Sequence, residues 1–335
     1  MSDSNTFLFL IVGILASQAM SRTVHESAID EHEQWMVKHG RTYKDRAEKD
    51  KRFKIFKENF EYVHSFNNAG NTSYKLSINK HSDLTHDEFV AARTGDINPS
   101  NNVTSTEMSF RYAEFAQIPS SLDWRTEGAV TAVKNQHNCG CCWAFAAVAA
   151  TEGATQIKTQ NLVSLSEQQV LDCSDNNDGC NGGNKISAFQ YIVQNSGLTS
   201  EDNYPYQQTQ GACDMQKQAS QVAVISSYEK VPPNSEQDLV KAVSNQPVVV
   251  SIEASGPHFR HYKSGVFTGN CGTQTNHAVT VVGFGTSDDG IDYWLVKNSW
   301  GVEDWGEDGY IRMQRNVADP QGLCGLAIRP AYPTA

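Results

Sequence analysis

Gln136-His137-Asn138-Cys139-Gly140-Cys141-Cys142-Trp143-Ala144-Phe145 places an amide side chain, a glycine and a thiol just ahead of an apolar helical run. A helix opening at Cys142 points its unpaired N–H groups and the positive end of its dipole at the sulfur, and both stabilise a thiolate. A thiolate is a nucleophile; a neutral thiol is a poor one. Well downstream come Asn276-His277-Ala278-Val279 and then Tyr293-Trp294-Leu295-Val296-Lys297-Asn298-Ser299-Trp300-Gly301. Singly, these residues have bland readings: a cysteine packed in a core, a buried hydrogen-bonding histidine, an asparagine forming a turn. Jointly they supply a nucleophile, a proton carrier and an orienting amide.

Their order along the chain resembles that of the papain-family cysteine proteases. In papain and the cathepsins the histidine and asparagine lie roughly 130–150 residues beyond the cysteine. Here His277 follows Cys142 by 135 positions and Asn298 by 156, the second slightly outside that window. The resemblance implies that Cys142 attacks the peptide carbonyl and that His277, as an imidazolium, stabilises the thiolate and protonates the leaving amine. It implies that Asn298 orients the imidazole, that Gln136 and the Cys142 N–H hold the oxyanion, and that Trp300 shields the His277–Asn298 bond. Neither a cofactor nor a metal is implied.

At 335 residues the chain suits a processed precursor or two packed lobes. Phe7 to Leu15 is an apolar run too short to span a bilayer, with Ser17 and Ala19 at cleavage spacing, so residues 1–19 read as a secretory signal peptide, although Met1 to Thr6 lacks the usual basic residue. No later segment is long and apolar enough to cross a membrane. All eight cysteines lie after residue 138, and in the oxidising secretory route they form disulfides. From Ile118 onward the chain carries 13 Lys/Arg against 22 Asp/Glu, an acidic balance that repels nucleic acid.

Residues 20–117 read as a prosegment with a linker. Glu48, Arg52, Phe56, Asn59, Val63 and Asn67 recur at three- and four-residue spacing and so share one stripe of a helix. Their identities are similar to the interlocking helix motif of inhibitory prosegments in the family, with Val63 in place of isoleucine. Asn79 and Asp83 match a second prosegment element, whereas Ser77 and His81 stand where glycine and phenylalanine are usual. His81 reads as a solvated loop histidine that could gain charge on acidification. Ala91 to Gln117 is polar and reads as an extended linker suited to processing. Asn71 and Asn102 open glycosylation sequons.

Residues 118–335 read as the peptidase domain. Helices are expected at Trp143–Gln156, Leu165–Cys173, Lys185–Gln194 and Ser235–Ser244, and β-branched strands at Val248–Ile252, Ala278–Gly283 and Trp294–Val296. The fold class is α+β: a helical lobe facing a β-barrel-like lobe, as the resemblance also implies, with substrate in the cleft between them.

With Cys142 set aside, seven cysteines remain, an odd number, and sequence alone leaves their connectivity open. The resemblance implies Cys139 with Cys180, Cys173 with Cys213, and Cys271 with Cys324. That leaves Cys141, where the family usually has serine; it is either a packed thiol or one half of a reversible redox switch with Cys142. His137 stands where glycine is expected, and Asn276 where aspartate is commoner. Gly182 and Gly183 look like the backbone edge that pairs with an extended substrate. Asn184, Lys185, Ser251, Thr275, Ala278 and Arg329 look like the lining of the pocket for the residue preceding the one cleaved. Its two cations and three small polar groups suggest tolerance of polar or acidic side chains there.

Two other readings compete. Cys139 and Cys142 form a Cys-x-x-Cys, as in a thiol–disulfide oxidoreductase, and a papain-fold protein can be a non-catalytic binder. A zinc site is a weaker rival, because the clustered cysteines lack a second ligand pair and His258 and His261 read as surface residues. The resemblance favours an endopeptidase made as a zymogen and active at acidic pH once its prosegment is removed. It is expected in the vacuole, lysosome or extracellular space. Its partners would be polypeptide substrates, its own prosegment and cystatin-like inhibitors, and it would act as a monomer.

Overall fold

The computed structural model describes residues 26–70, 72–97, 110–303 and 305–335. The expected signal peptide, the sequon residues Asn71 and Asn102, and residues 98–109 of the expected linker lie outside the described residues. The chain forms two compact units.

The first unit holds residues 26–72 and 76–85. Helix α1 covers 26–38 and α2 covers Arg46–Asn68, opened by Asp45, whose side chain accepts the Glu48 N–H. The stripe read from the sequence does two things. Phe56 and Val63 are its buried apolar members, whereas its polar members bind the backbone of residues 76–83. Arg52 reaches the Asp83 carbonyl, Asn59 the Ser82 carbonyl, and Asn67 both the carbonyl and the N–H of Leu76, the last residue of strand β1 (Tyr74–Leu76). His81 is fully buried, not solvated.

The second unit holds residues 73–75 and everything from His86 onward. It therefore includes α3 (His86–Arg93) and the extended residues 94–97. Sequence composition made Ala91–Gln117 a linker, but its first residues finish a helix and then pair with the peptidase backbone. Further along, Arg111 forms an ion pair with Glu229.

After β2 (Leu122–Asp123), α4 runs from Cys142 to Thr159 and is buried over most of its length, including Cys142, Trp143 and Phe145. A helix apolar all round belongs inside, and each large side chain hidden this way contributes roughly 1.5–3 kcal/mol. Helices α5 (Glu167–Cys173) and α6 (Lys185–Gln194) pack with it. A one-turn helix, α7 (Met215–Gln218), then leads to β3 (Ser227–Lys230), α8 (Glu236–Val243), β4 (Val248–Ile252) and α9 (Pro257–Arg260). Next come β5 (Tyr262–Phe267), β6 (His277–Thr286), β7 (Asp292–Lys297), β8 (Tyr310–Gln314) and β9 (Ala331–Thr334).

The sheet runs β5-β8-β7-β6-β4-β9-β3, with β2 on β6. In the antiparallel pair β4–β6, Ile252 faces His277. The pair β6–β7 sets Thr280 against Lys297, which brings the start of β6 beside the end of β7. Both β4 and β6 are buried on both faces, which explains their nearly unbroken runs of β-branched residues. Three disulfides join Cys139 to Cys180, Cys173 to Cys213 and Cys271 to Cys324.

Candidate active site

Cys142 is the first residue of α4, and the whole side chain is buried. His277 opens β6, and Asn298 follows β7. The sulfur accepts the N–H of Ala278, the residue after His277, at 3.4 Å. The His277 Nε2 lies 2.8 Å from Asn298 Oδ1, which also accepts the Ser299 N–H at 2.8 Å. An oxygen accepting two N–H groups fixes the amide's orientation, so Nε2 carries the imidazole proton and Nδ1 presents a lone pair. That Nδ1 has no hydrogen-bond partner among the described residues. Trp300 is fully buried and packs beside the imidazole, with ring centroids 4.8 Å apart.

Gln136 is also fully buried. Its Oε1 accepts from Ser299 Oγ at 2.6 Å, which turns Nε2 toward the carbonyls of Cys139 at 2.8 Å and Arg93 at 3.3 Å. The Arg93 carbonyl accepts from Trp300 Nε1 as well. A carbonyl oxygen from the chain's own α3 thus sits on the amide that the sequence reading assigned to an oxyanion.

Residues 94–97 continue from that carbonyl as an extended segment. The N–H groups of Gly95 and Asp96 donate to the Asn276 carbonyl, each at 2.9 Å. On the other side Gly183 donates to the Gly95 carbonyl and accepts from the Ile97 N–H, each at 2.8 Å, in a parallel bridge. Asn184 caps α6 and donates to the Ile97 carbonyl. Gly95 is required for the close approach, because a Cβ there would collide with the Gly140 carbonyl. Gly183 is required because a Cβ would press on Trp143 and Asn177. Gly182 adopts a φ of 127°, open only to glycine. Phe89 anchors α3 edge-on against Trp300.

The pocket residues converge on Asp96. Its carboxylate is wholly buried, 3.2 Å from Arg329 Nη2 and 4.0 Å from Lys185 Nζ. Lys185 Nζ donates to Ser251 Oγ, and Arg329 Nη2 donates to Thr275 Oγ1 at 2.7 Å. Ala278 contributes its N–H to Cys142.

Burial, then the nearby Asp96 carboxylate, hold the Cys142 thiol well above its usual range. Burial pulls His277 down to about 4, against the opposing bond from Asn298. The helix N-terminus is where the sequence placed it, but covering the site removes the water that supports both charges.

Other sequence expectations are redrawn. Cys139 is tied to Cys180, so it is not free to cycle with Cys142 as an oxidoreductase requires. Cys141 is buried, its sulfur lies 3.1 Å from Tyr206 Oη, and burial pushes its thiol up to about 12. His137 takes a φ of 52°, a left-handed conformation that explains why glycine is usual there. Asn276 Oδ1 accepts the Ala254 N–H at 3.0 Å. His261 is fully buried, and His258 is half-buried against Tyr74, so neither is a simple surface residue. Arg93, Gly95 and Asp96 escaped the sequence reading. Their only signal was a glycine between Thr94 and Asp96 in an otherwise polar stretch.

Residues 118–334 match the papain family cysteine protease domain, and residues 32–89 match the cathepsin propeptide inhibitor domain (I29). Senescence-specific cysteine protease SAG12 of Arabidopsis thaliana is 48% identical over 340 residues, covering 98% of this chain and 98% of that protein. Ananain of Ananas comosus is 45% identical over 331 residues, covering 98% and 95%. Among solved structures, the recombinant stem bromelain precursor superposes with a TM-score of 0.85 at 46% identity, covering 92% of this chain and 99% of that one. The bromelain protease from Ananas comosus in complex with the E64 inhibitor gives 0.63 at 50% identity, covering 65% and 99%.

Proposed function

This chain belongs to the papain family of cysteine proteases, and we propose that Cys142 is its nucleophile, His277 its proton carrier, Asn298 the positioning residue and Gln136 an oxyanion donor. It is a cysteine endopeptidase precursor with an inhibitory propeptide domain. One observation carries the assignment: His277, oriented through Nε2 by Asn298, presents an open Nδ1 next to the residue whose N–H holds Cys142 Sγ.

Once residues 93–97 leave, water returns and the Asp96 charge is gone. The proton of Cys142 then moves to His277 Nδ1, giving a thiolate beside an imidazolium. The thiolate attacks the scissile carbonyl, and the developing oxyanion takes the place of the Arg93 carbonyl at Gln136 Nε2. His277 returns its proton to the leaving amine, which leaves a thioester on Cys142. Water, deprotonated by His277, then displaces the sulfur and releases the acid.

The groove between Gly183 and Asn276 takes an extended polypeptide, and Asn184, Lys185, Ser251, Thr275, Ala278 and Arg329 line its side-chain pocket. The signal peptide ends near residue 19 and the mature peptidase begins near Ile118. The enzyme works as a monomer at acidic pH in a vacuolar, lysosomal or extracellular space, and cystatin-like inhibitors compete with its prosegment for the groove.

The decisive experiment is active-site titration of the activated protein with an epoxide thiol reagent, followed by mass mapping. A single adduct on Cys142, together with loss of casein cleavage in Cys142→Ser, is expected. Cleavage surviving that substitution would overturn the assignment.

A further inference from the structure

We propose that Lys185 and Arg329 make this peptidase selective for aspartate or glutamate at the substrate residue preceding the one whose carbonyl is attacked, and that Asp96 occupies their pocket in the precursor as an internal surrogate. The inference rests on the reading of Cys142 as nucleophile and of Gly183 and Asn276 as the walls of its groove.

Asp96 delivers a carboxylate into this pocket, although it follows rather than precedes Arg93, whose carbonyl lies on Gln136. The segment thus crosses the groove in the direction opposite to that of a substrate, and the Asp96 side chain alone, not the backbone polarity, stands in for one. Its own N–H is bound to Asn276 on one side, and its neighbours' carbonyl and N–H are bound to Gly183 on the other. Its side chain is thereby delivered between two cations that come from separate parts of the chain, the first residue of α6 and the segment just before β9. Ser251 and Thr275 each occupy one donor of the pair, which fixes where the remaining donors point.

Charge accounting gives the selectivity. Lys185 is 1% exposed, and a buried cation is stable only beside an anion. While Asp96 is in place, its carboxylate is the one that the described residues set against Lys185 and Arg329. When the segment leaves, both cations lose that partner. An acidic substrate side chain restores the pairing, whereas leucine or phenylalanine would bury apolar surface against an unpaired ammonium. In the precursor, burial draws Lys185 down to about 8 and the Asp96 carboxylate opposes that shift, as an acidic substrate side chain in its place would. The fit also ranks the acids. The 4.0 Å between Lys185 Nζ and Asp96 Oδ2 exceeds a hydrogen bond, and Asp96 Oδ1 has no hydrogen-bond partner among the described residues. One more methylene closes part of that gap, so glutamate equals or exceeds aspartate.

The test uses activated, titrated enzyme and peptides that differ only at the residue filling the pocket: glutamate, aspartate, glutamine, leucine or phenylalanine. At mildly acidic pH and low ionic strength, kcat/KM for glutamate and aspartate is expected to exceed that for glutamine and leucine by at least about tenfold, in keeping with charge-assisted bonding. Lys185→Met and Arg329→Met are each expected to shift the glutamate-to-leucine ratio by about tenfold or more toward leucine. If Lys185→Met does not fold, Arg329→Met, whose side chain is partly exposed, decides. Wild-type preference for leucine or phenylalanine, or variants that keep the acidic preference, would overturn the proposal. Titration of Cys142 and cleavage of casein are measured alongside. Their presence with an apolar preference refutes the pocket alone, and their absence refutes the nucleophile assignment and the pocket with it.

Discussion

The carbonyl oxygen of Arg93 lies 3.3 Å from Gln136 Nε2. The last residue of α3 thus holds, as a neutral carbonyl, the donor proposed for a substrate's oxyanion. The same donor strengthens as charge develops, because a hydrogen bond to an anion is roughly twice as strong as one to a neutral acceptor. Activated Gln136→Ala is therefore expected to lose about 10²–10³ in kcat with a small change in KM. A change confined to KM in steady-state kinetics would contradict this role.

The precursor's cover depends on a glycine. Replacing Gly95 by alanine drives a methyl into the Gly140 carbonyl and pulls apart the bonds to Asn276 and Gly183. Losing two such bonds costs about 1–3 kcal/mol, a factor of roughly 5–150 in site opening. Unprocessed Gly95→Ala precursor is expected to react with an epoxide thiol reagent at least about tenfold faster than wild type, measured as the rate of Cys142 adduct formation. Equal rates would show that residues 94–97 do not gate the sulfur.

Asn276 is expected to set the alkaline limit of activity. Its Oδ1 accepts the Ala254 N–H, a bond that an aspartate would keep. A carboxylate beside His277 favours the imidazolium, whose pKa burial lowers in the precursor. Activity needs the protonated ring paired with the Cys142 thiolate, so raising that pKa carries activity to higher pH. In activated Asn276→Asp the alkaline limb of kcat/KM is expected to move up by about one unit. An unmoved limb in the pH profile would refute the linkage.

Cys141 is adjacent to the nucleophile yet chemically quiet. Its burial and its pKa near 12 keep it a thiol, and only the thiolate oxidises readily. After peroxide inactivation, dithiothreitol is expected to recover activity equally in wild type and Cys141→Ser. Selective loss of recovery in the variant would reinstate a redox switch.

A buried charge cluster supports the helical region around the site. Lys134 Nζ lies 2.7 Å from Glu167, 3.6 Å from Glu152 and 3.5 Å from Glu201. Burial works against its charge, but the three carboxylates outweigh burial and raise its pKa. Removing the ammonium strands the buried Glu167 and Glu152. Lys134→Met is expected to cost about 3–5 kcal/mol, read from the urea midpoint of unfolding. A midpoint shift below about 1 kcal/mol would show that the carboxylates simply protonate.

The peptidase elements were legible because their signals are local. The helix at Lys185–Gln194 and the strand at Val248–Ile252 lie where periodicity and β-branching put them, and α8 falls within the expected Ser235–Ser244, with the Ser235 side chain accepting the Asp238 N–H. The prosegment stripe was legible in part: its three- and four-residue spacing predicted one helix face, but not that Arg52, Asn59 and Asn67 bind the backbone at residues 76–83. His81 and His261 were misread as exposed because a single polar letter carries no information about what packs around it.

By itself the sequence determined the chemistry: a thiol at a helix start, an imidazole and an amide in a fixed order, and a glycine pair for a peptide edge. These depend on residue type and neighbours a few positions away. Only the tertiary structure decided the state of that chemistry. It laid Arg93 on Gln136 and seated Asp96 between Lys185 and Arg329, and by burial it disfavoured the charged forms of Cys142 and His277. Burial and the distances between remote charges govern all three, and both arise only when segments far apart in the chain are folded together.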